Sequence, residues 1–206
     1  MCCLRPLGNN RPRAVRANHG AAAAARMAAP RTGRPLLVAS EAMARGRTPV
    51  RAYVGLGANL GQARQTLAWA VHRLAALPDV ANPVWSGLFA SAPWQAEGPD
   101  YFNAVLGMDV RHTAPELWRH LAALEYEAGR RRPYRHAPRS LDLDLLFYGT
   151  AAIASATLTV PHPRWHERAF VLMPLHELAP NLVTPAMLRA TAAQRCTRVA
   201  DPQWVA

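Results

Sequence analysis

The order of strand-like and helix-like segments after residue 50 constrains the fold more strongly than any other feature. Alternating small and apolar residues that end in glycine indicate a strand at 51–57, and apolar residues at helical spacing indicate a helix at 62–77. Thr113 as an N-cap, Pro115 and a terminal Gly129 indicate a second helix. The same patterns predict strands at 84–91, 102–111, 141–148 and 157–160, and helices at 113–128, 171–178 and 186–195. This order predicts an α+β, ferredoxin-like sandwich, an antiparallel sheet with helices packed on its faces.

The composition excludes several classes of protein. Half of the 206 residues are hydrophobic, which is enough for a core, and no apolar run approaches the roughly 18 residues of a membrane-spanning helix. All 24 basic residues are arginine. Because the chain has no lysine, it has neither a GxxxxGK[ST] phosphate-binding loop nor Schiff-base lysine chemistry.

The positive charge is concentrated in the first fifty residues. Of the formal charge of +11, residues 1–50 carry +8, from nine arginines and one acid, Glu41. We expect 1–50 to be an Arg/Ala-rich, disordered, non-catalytic extension, for which Met27 or Met43 is an alternative start; a functional basic arm and a transit peptide are the other interpretations. Residues 51–206 carry the remaining +3 and form the body of the chain. Three cysteines, two of them adjacent, favour a reducing, cytoplasmic location without membrane association.

The segment LDLDLL at 141–146 carries two acidic residues at alternate positions. In a strand, Asp142 and Asp144 point to one face and the leucines to the other. Two carboxylates roughly 7 Å apart can hold hard cations, and without interleaved His or Cys they favour Mg²⁺ over Zn²⁺. A half-exposed strand with two solvated acids is the alternative.

Five arginines lie in the ten residues 130–139, immediately before these acids. A guanidinium group can donate two parallel hydrogen bonds to phosphate oxygens. This arrangement therefore suits a nucleoside triphosphate with its metal. His162 and Arg168 add basic groups further along. A solvated loop or an RNA contact is the alternative, although Tyr134 is the only aromatic residue in the loop for base stacking.

Two further segments are less specific. Glycines at 55, 57 and 61 have the spacing GxGxxxG, which does not match the dinucleotide-binding GxGxxG, so we expect them to shape a strand-to-helix turn. Between residues 91 and 103, flat rings alternate with polar groups, which suits a planar heterocycle or, alternatively, a loop packed on the core.

Four blocks together resemble the 6-hydroxymethyl-7,8-dihydropterin pyrophosphokinase family of folate biosynthesis. They are GLGANLG, APWQAEGPDYFNAV, APRSLDLDLLFYG and LTVPHPRWHERAFVLMPLHELAP, within residues 51 to about 180. The resemblance implies that 51–206 is a ferredoxin-like, Mg-dependent diphosphotransferase, which transfers the β,γ-diphosphate of ATP to the pterin hydroxymethyl group and releases AMP. It implies Mg²⁺ as the metal, for which we expect two ions, and we expect a monomer without a nucleic-acid partner.

The resemblance also implies roles for individual residues. The metal ligands are Asp142 and Asp144, which with Arg130 and Arg139 form the catalytic group. The implied ATP-binding residues are Trp118, Glu125, Arg132, Arg135, Thr159, His162 and Arg168. The implied pterin-binding residues are Ser91, Pro93, Trp94, Tyr101, Asn103 and Phe170, with Tyr101 and Phe170 as ring contacts. The rival interpretations are a nucleic-acid-binding protein that uses the basic tail and loop, and a phosphotransferase with another flat acceptor.

Overall fold

A computed structural model of the chain describes residues 46–93, 98–129 and 140–206. The strands are β1 Val50–Ala58, β2 Val80–Trp85, β3 Leu88–Ser91, β4 Tyr101–Val110, β5 Asp142–Tyr148, β6 Ile153–Ala154, β7 Thr159–Val160 and β8 Cys196–Ala200. The helices are α1 Ala63–Ala75, α2 Ala114–Glu127, α3 Ala169–Leu178 and α4 Pro185–Ala190, with 3₁₀ turns at Trp165–Glu167, Pro180–Leu182 and Pro202–Val205. None of the described helices is long and apolar enough to span a membrane.

Six strands form one antiparallel sheet in the order β5-β1-β4-β3-β8, with β2 also paired to β4. β1 pairs with β4 along its full length, from Val50 opposite Val110 to Ala58 opposite Phe102. On its other side, β4 pairs with β2 near one end and with β3 near the other. The predicted ferredoxin-like α+β fold is confirmed.

α1 and α2 cover one face of the sheet and form the larger core. The alternation predicted for 141–146 is confirmed, because Leu143 and Leu145 are buried in this core, with exposed fractions of 6% and 3%. α2 also begins as predicted: Thr113 Oγ1 accepts a hydrogen bond from Glu116 N, and Thr113 N donates to Glu116 Oε2 at 2.7 Å. This reciprocal capping fixes the start of the helix.

Among the described residues, α3 covers only part of the opposite face. Val171, Leu172 and Leu175 pack there against Val105 and Phe147. The remaining part of this face is formed by the ends of β1, β4 and β5 that carry the glycines and the acids. The incomplete cover leaves room for a cavity above the sheet.

The C-terminal region differs from the prediction. The helix predicted at 186–195 is wrong in extent, because α4 ends at Ala190 and the chain then enters β8, which pairs with β3. The strand predicted at 84–91 is interrupted at Ser86 and Gly87. Ser86 bonds to β4 through its side chain, and Gly87 N donates to Glu177 Oε2 at 2.7 Å, so these residues leave the regular ladder.

The last residues are held against α1 and β2. Val205 is buried, and its carbonyl oxygen lies 2.9 Å from His72 Nε2. Trp85 Nε1 donates to Pro202 O at 2.7 Å, and Trp204 Nε1 donates to Ser86 O at 2.9 Å. The C-terminal segment is therefore part of the packed domain.

The described residues begin inside the segment assigned by sequence to the N-terminal extension. Arg47 Nη1 lies 2.8 Å from Glu116 Oε2, and Arg47 O accepts from Arg111. The rest of that segment, residues 1–45, lies outside the described residues. The extension 1–50 stays a prediction, and Arg47 packs against the start of α2.

Candidate active site

The uncovered part of the sheet forms the floor of a cavity between α3 and β3, which we call the first cavity. It is lined by Gly55, Leu56, Gly57, Ser91, Ala92, Tyr101, Asn103, Ala104, Val105, Asp142, Asp144, Leu146, Arg168, Phe170 and Val171. The lining combines apolar surface, two rings, two acids and one arginine. Such a combination suits a ligand with a flat ring and a charged end.

Two glycines of β1 form part of this floor. The expectation that Gly55 and Gly57 shape a turn is wrong, since both lie within the strand and face the cavity. A Cβ atom on Gly57 would lie 3.4 Å from Asn103 Oδ1 and 4.0 Å from Asp142 Cβ. A side chain there would fill the space between the amide and the acid, so glycine keeps this part of the cavity open.

Asn103 is held in one orientation at the cavity floor. Its Nδ2 donates to Ser91 Oγ at 3.0 Å and to Tyr101 O at 3.4 Å. Asn103 and Ser91 are both only 4% exposed. The amide oxygen therefore lies on the Gly57 side, where it can accept a hydrogen bond from a ligand.

The two acids lie next to these groups. Gly57 is opposite Asp142 in the register of β1 and β5, and Gly55 is opposite Asp144. Both carboxylates are partly exposed on the cavity face. No cluster of three or more potential His, Cys or acidic metal ligands occurs among the described residues. Two carboxylates alone fit a hard cation that completes its coordination with water and phosphate oxygens.

His162 lies beside the second acid. Its ring Nε2 is 4.0 Å from Asp144 Oδ2, and its ring Nδ1 accepts from Arg164 N at 3.2 Å. Its backbone N–H donates to Leu146 O at 3.0 Å. Burial holds the pKa of His162 below its ordinary value, although Asp144 partly opposes this effect. Because Nδ1 accepts from Arg164 N, the neutral ring carries its proton on Nε2, on the side of Asp144.

α3 supplies the opposite wall of the first cavity. Arg168 and Phe170 both line it, and the Arg168 guanidinium carbon lies 5.5 Å from the centroid of the Phe170 ring. A cation above an aromatic face is stabilised by the ring quadrupole. Arg168 is thus held beside an aromatic ring in the wall of the cavity.

A second cavity lies on the α2 side of the edge strand β5. It is lined by Trp118, Leu121, Ala122, Glu125, Tyr126, Leu143 and Asp144. Glu125 is 8% exposed, and its Oε1 accepts from Leu143 N at 2.7 Å. Asp144 lines both cavities. The two cavities therefore share one residue of the edge strand.

Many of the residues predicted from sequence are brought together. The first cavity contains Ser91, Tyr101, Asn103, Asp142, Asp144, Arg168 and Phe170, and the second contains Trp118, Glu125 and Asp144. Among the described residues, Pro93, Thr159 and His162 are part of neither lining; Thr159 is exposed on β7, and His162 lies beside Asp144. Trp94, Arg130, Arg132, Arg135 and Arg139 lie outside the described residues.

The sequence did not indicate the residues that form the floor and part of the walls of the first cavity. The missed lining residues include Gly55, Gly57, Ala92, Leu146 and Val171. One signal was present in the sequence: glycine at alternate positions of a strand often marks the close approach of a ligand.

Comparison with known proteins identifies relatives of this chain. The sequence model of the 7,8-dihydro-6-hydroxymethylpterin-pyrophosphokinase family matches residues 53–180. This range includes every described residue of both cavity linings.

Three relatives carry the name 2-amino-4-hydroxy-6-hydroxymethyldihydropteridine pyrophosphokinase. The protein of Synechocystis sp. is 40% identical over 134 residues, 65% of this chain and 69% of its own. That of Methylorubrum extorquens is 40% identical over 134 residues, 65% of this chain and 85% of its own. That of Pseudomonas aeruginosa is 39% identical over 136 residues, 66% of this chain and 84% of its own.

Proposed function

Because the chain belongs to the 7,8-dihydro-6-hydroxymethylpterin-pyrophosphokinase family, it is a pyrophosphokinase of folate biosynthesis, and we propose that its two cavities hold its two substrates. The observation that carries this proposal is the position of Asp144, which lines both cavities. A transfer between two bound substrates needs their reacting ends to meet at one place. The pterin alcohol then occupies the first cavity and ATP the second.

The first cavity offers a flat ring the contacts that it needs. Tyr101 and Phe170 supply aromatic surface, and the buried Asn103 supplies an oriented amide. Pterin carries ring nitrogen donors and acceptors at one edge, which match an amide oxygen whose own NH₂ group is bonded within the protein. The hydroxymethyl group at the other end of the ring then points towards the acids.

Asp142 and Asp144 are the residues that would hold Mg²⁺. Their oxygen-only donor set, partial exposure and position on one face of β5 fit this ion, and we propose two ions with ATP as co-substrate. Bound Mg²⁺ would neutralise phosphate charge and orient the triphosphate. The Mg²⁺ dependence is part of this proposal.

The second cavity suits the adenosine part of ATP. Trp118 supplies a half-exposed ring, and Glu125 supplies a buried carboxylate whose Oε1 already accepts from Leu143 N. His162, with its proton on Nε2, and Arg168 are placed to donate to phosphate oxygens near Asp144. The resemblance of the sequence to the family adds further residues to those proposed to bind the phosphates and the nucleoside of ATP: Arg130, Arg132, Arg135, Arg139 and Thr159.

The reaction joins the pterin hydroxymethyl oxygen to the β-phosphorus of ATP. The bond between the α,β-bridging oxygen and the β-phosphorus breaks, AMP leaves with that oxygen, and the hydroxyl proton is released to the solvent. Such a transfer depends on alignment and charge neutralisation more than on a strong nucleophile. The residues of this chain would contribute alignment through the two cavities and positive charge through Arg168 and the predicted arginines. We propose that the enzyme works as a cytoplasmic monomer.

A mass-spectrometric product assay tests the proposal. ATP, Mg²⁺ and the pterin alcohol are mixed with the wild-type protein, and AMP and pterin diphosphate are measured. We expect Asp142→Asn and Asp144→Asn each to lower turnover by roughly a hundred-fold or more. Asp109→Asn is the matched control, since Asp109 lies on β4 away from both cavities and pairs with Arg51. Near-normal turnover in both cavity variants would contradict the assignment of the metal ligands.

A further inference from the structure

Two neighbouring residues before β8, Gln194 and Arg195, contact both walls of the first cavity; we call them the linking pair. They lie outside the range matched by the family model. Neither residue lines the cavity itself. Their contacts with the two walls reach segments that are at least 25 positions away along the chain.

Arg195 contacts both ends of the connection between β3 and β4. Its carbonyl oxygen accepts a hydrogen bond from Ala92 N at 3.3 Å. Its guanidinium group forms two parallel bonds with Asp100, Nη1 to Oδ2 at 2.7 Å and Nη2 to Oδ1 at 2.5 Å. Ala92 lines the first cavity, and Asp100 directly precedes Tyr101, which also lines it. One residue therefore holds both ends of this connection.

Gln194 contacts the opposite wall. Its Oε1 accepts from Ala169 N at 2.8 Å, and its Nε2 donates to Glu167 O at 2.7 Å. These two backbone groups lie on either side of Arg168, and Phe170 follows in the first turn of α3. The first N–H groups of a helix have no partner within the helix, so the amide satisfies one of them and fixes where α3 begins.

The strand that follows the linking pair holds it in place. Cys196 of β8 pairs with Ser91, and Ser91 pairs on its other side with Tyr101. The linking pair therefore starts from a position fixed by the sheet beside the cavity wall. From there, one side chain reaches the wall that carries Tyr101 and the other reaches the wall that carries Phe170.

We propose that Gln194 and Arg195 are positioning residues, which set the separation of the two walls that enclose the pterin ring. This inference rests on the proposed function of the first cavity as the pterin site. If a wall occupies its binding position for only a fraction of the time, the apparent Kd equals the intrinsic Kd divided by that fraction. Contacts that hold both walls in advance remove this loss.

The ion pair between Arg195 and Asp100 is exposed, which distinguishes a positioning role from a general stabilising role. The side chains of Arg195 and Asp100 are 62% and 37% exposed. Exposed ion pairs usually add little to the stability of a protein. Loss of the pair should therefore change pterin affinity more than it changes the melting temperature.

The experiment compares conservative variants in the full-length chain. Arg195→Lys keeps the charge but loses the two parallel bonds, and Gln194→Ala removes both amide bonds. The double variant Asp100→Arg/Arg195→Asp reverses the ion pair. Arg189→Lys, at an exposed arginine of α4, is the matched control. The measurements are the Kd for the pterin alcohol by fluorescence quenching, the Kd for ATP, Tm, and hydrogen exchange at Ala92 and Ala169.

We expect Arg195→Lys and Gln194→Ala each to raise the Kd for the pterin roughly three- to ten-fold, with little change in Tm. Arg195→Lys should leave the Kd for ATP unchanged, and the reversed pair should restore most of the pterin affinity. In Gln194→Ala, the Ala169 amide should exchange faster.

Wild-type pterin affinity in both single variants would overturn the inference while leaving the proposed function intact. If Arg195→Lys binds the pterin weakly and the reversed pair does not restore the affinity, the role of the ion pair is also overturned. Absence of pterin binding by the wild-type protein would instead overturn the proposed function, and this inference with it. If Gln194→Ala does not fold, Gln194→Glu, which loses only the bond to Glu167 O, takes its place.

Discussion

The position that a Cβ atom would take on Gly57 lies 3.4 Å from Oδ1 of Asn103, across the floor of the first cavity. A methyl group there meets the protein at ordinary contact distance, so Gly57→Ala should fold. It would, however, occupy the space in which we place the pterin ring. We expect its Kd for the pterin to rise at least about ten-fold, with an unchanged Kd for ATP. Fluorescence quenching and isothermal titration measure the two constants.

Gly55→Ala is the matched comparison for this prediction. Its new methyl group would lie 3.5 Å from the side chain of Leu146 and would pack on it. We expect a smaller loss of pterin affinity. Equal affinities for wild type and Gly57→Ala would contradict the placement of the ring on the glycine floor.

Ser91 should control the orientation of Asn103. In Ser91→Ala, the buried Asn103 amide loses the oxygen that accepts from its Nδ2. A buried donor without this partner costs about 1–3 kcal/mol of stability, and the amide can then rotate away from the ligand. We expect a lower Tm together with weaker pterin binding. Ser91→Thr keeps the hydroxyl group and should retain most of both; if Ser91→Ala binds pterin like wild type, Ser91 does not orient the amide.

Glu116 should make stability depend on pH under acid conditions. Its hydrogen bonds with Thr113 and its contact with Arg47 lower its pKa from 4.5 to about 2. A carboxyl group with a lowered folded pKa stabilises the protein above its unfolded pKa, and this contribution is lost as the pH falls from about 4.5 to about 2. Because the group is partly exposed, we expect it to contribute on the order of 1–2 kcal/mol.

Denaturant unfolding of Glu116→Gln between pH 2 and 7 measures this contribution. The variant should be less stable than wild type at pH 7, and the two should converge near pH 2. Glu127→Gln, at an exposed glutamate that pairs with Arg73, is the control. Parallel curves for wild type and Glu116→Gln would contradict the prediction.

The predicted N-terminal extension can be separated from the domain by two deletions. A chain that starts at Gly46 should release AMP at the wild-type rate, because the proposed site lies wholly within later residues. A chain that starts at Val50 also lacks Arg47 and its contact with Glu116, and should have a slightly lower Tm. The rival nucleic-acid-binding function predicts salt-dependent RNA affinity that the first deletion greatly reduces.

The sequence predicted those parts of the fold whose signals are local. The alternation at 141–146 is a period-two pattern, and the Thr113–Glu116 cap depends on residues three positions apart. β8 was not predicted, because five residues of mixed character give no period and their partner, β3, is distant in sequence. The break at Gly87 depends on a bond to Glu177, ninety positions later.

The residues of the site divide in the same way, into those with a local signal in the sequence and those without one. Asp142 and Asp144 were indicated by residue type and spacing, whereas most other site residues came from the resemblance to a family. No pattern within the sequence could reveal that Gln194 and Arg195 contact both walls, because each contact joins segments far apart in the chain. Such contacts become visible only when the strands have been placed in register.

The bond between Glu125 and Leu143 N has a consequence for the behaviour of the protein in concentrated solution. Among the strands of the described residues, β5 lies at one edge of the sheet, and edge strands with unpaired N–H groups attract strands from other molecules. The Glu125 side chain covers one of these groups, since its Oε1 accepts from Leu143 N at 2.7 Å. A residue that faces a substrate cavity thereby also opposes the growth of the sheet from one molecule into the next, and thus aggregation.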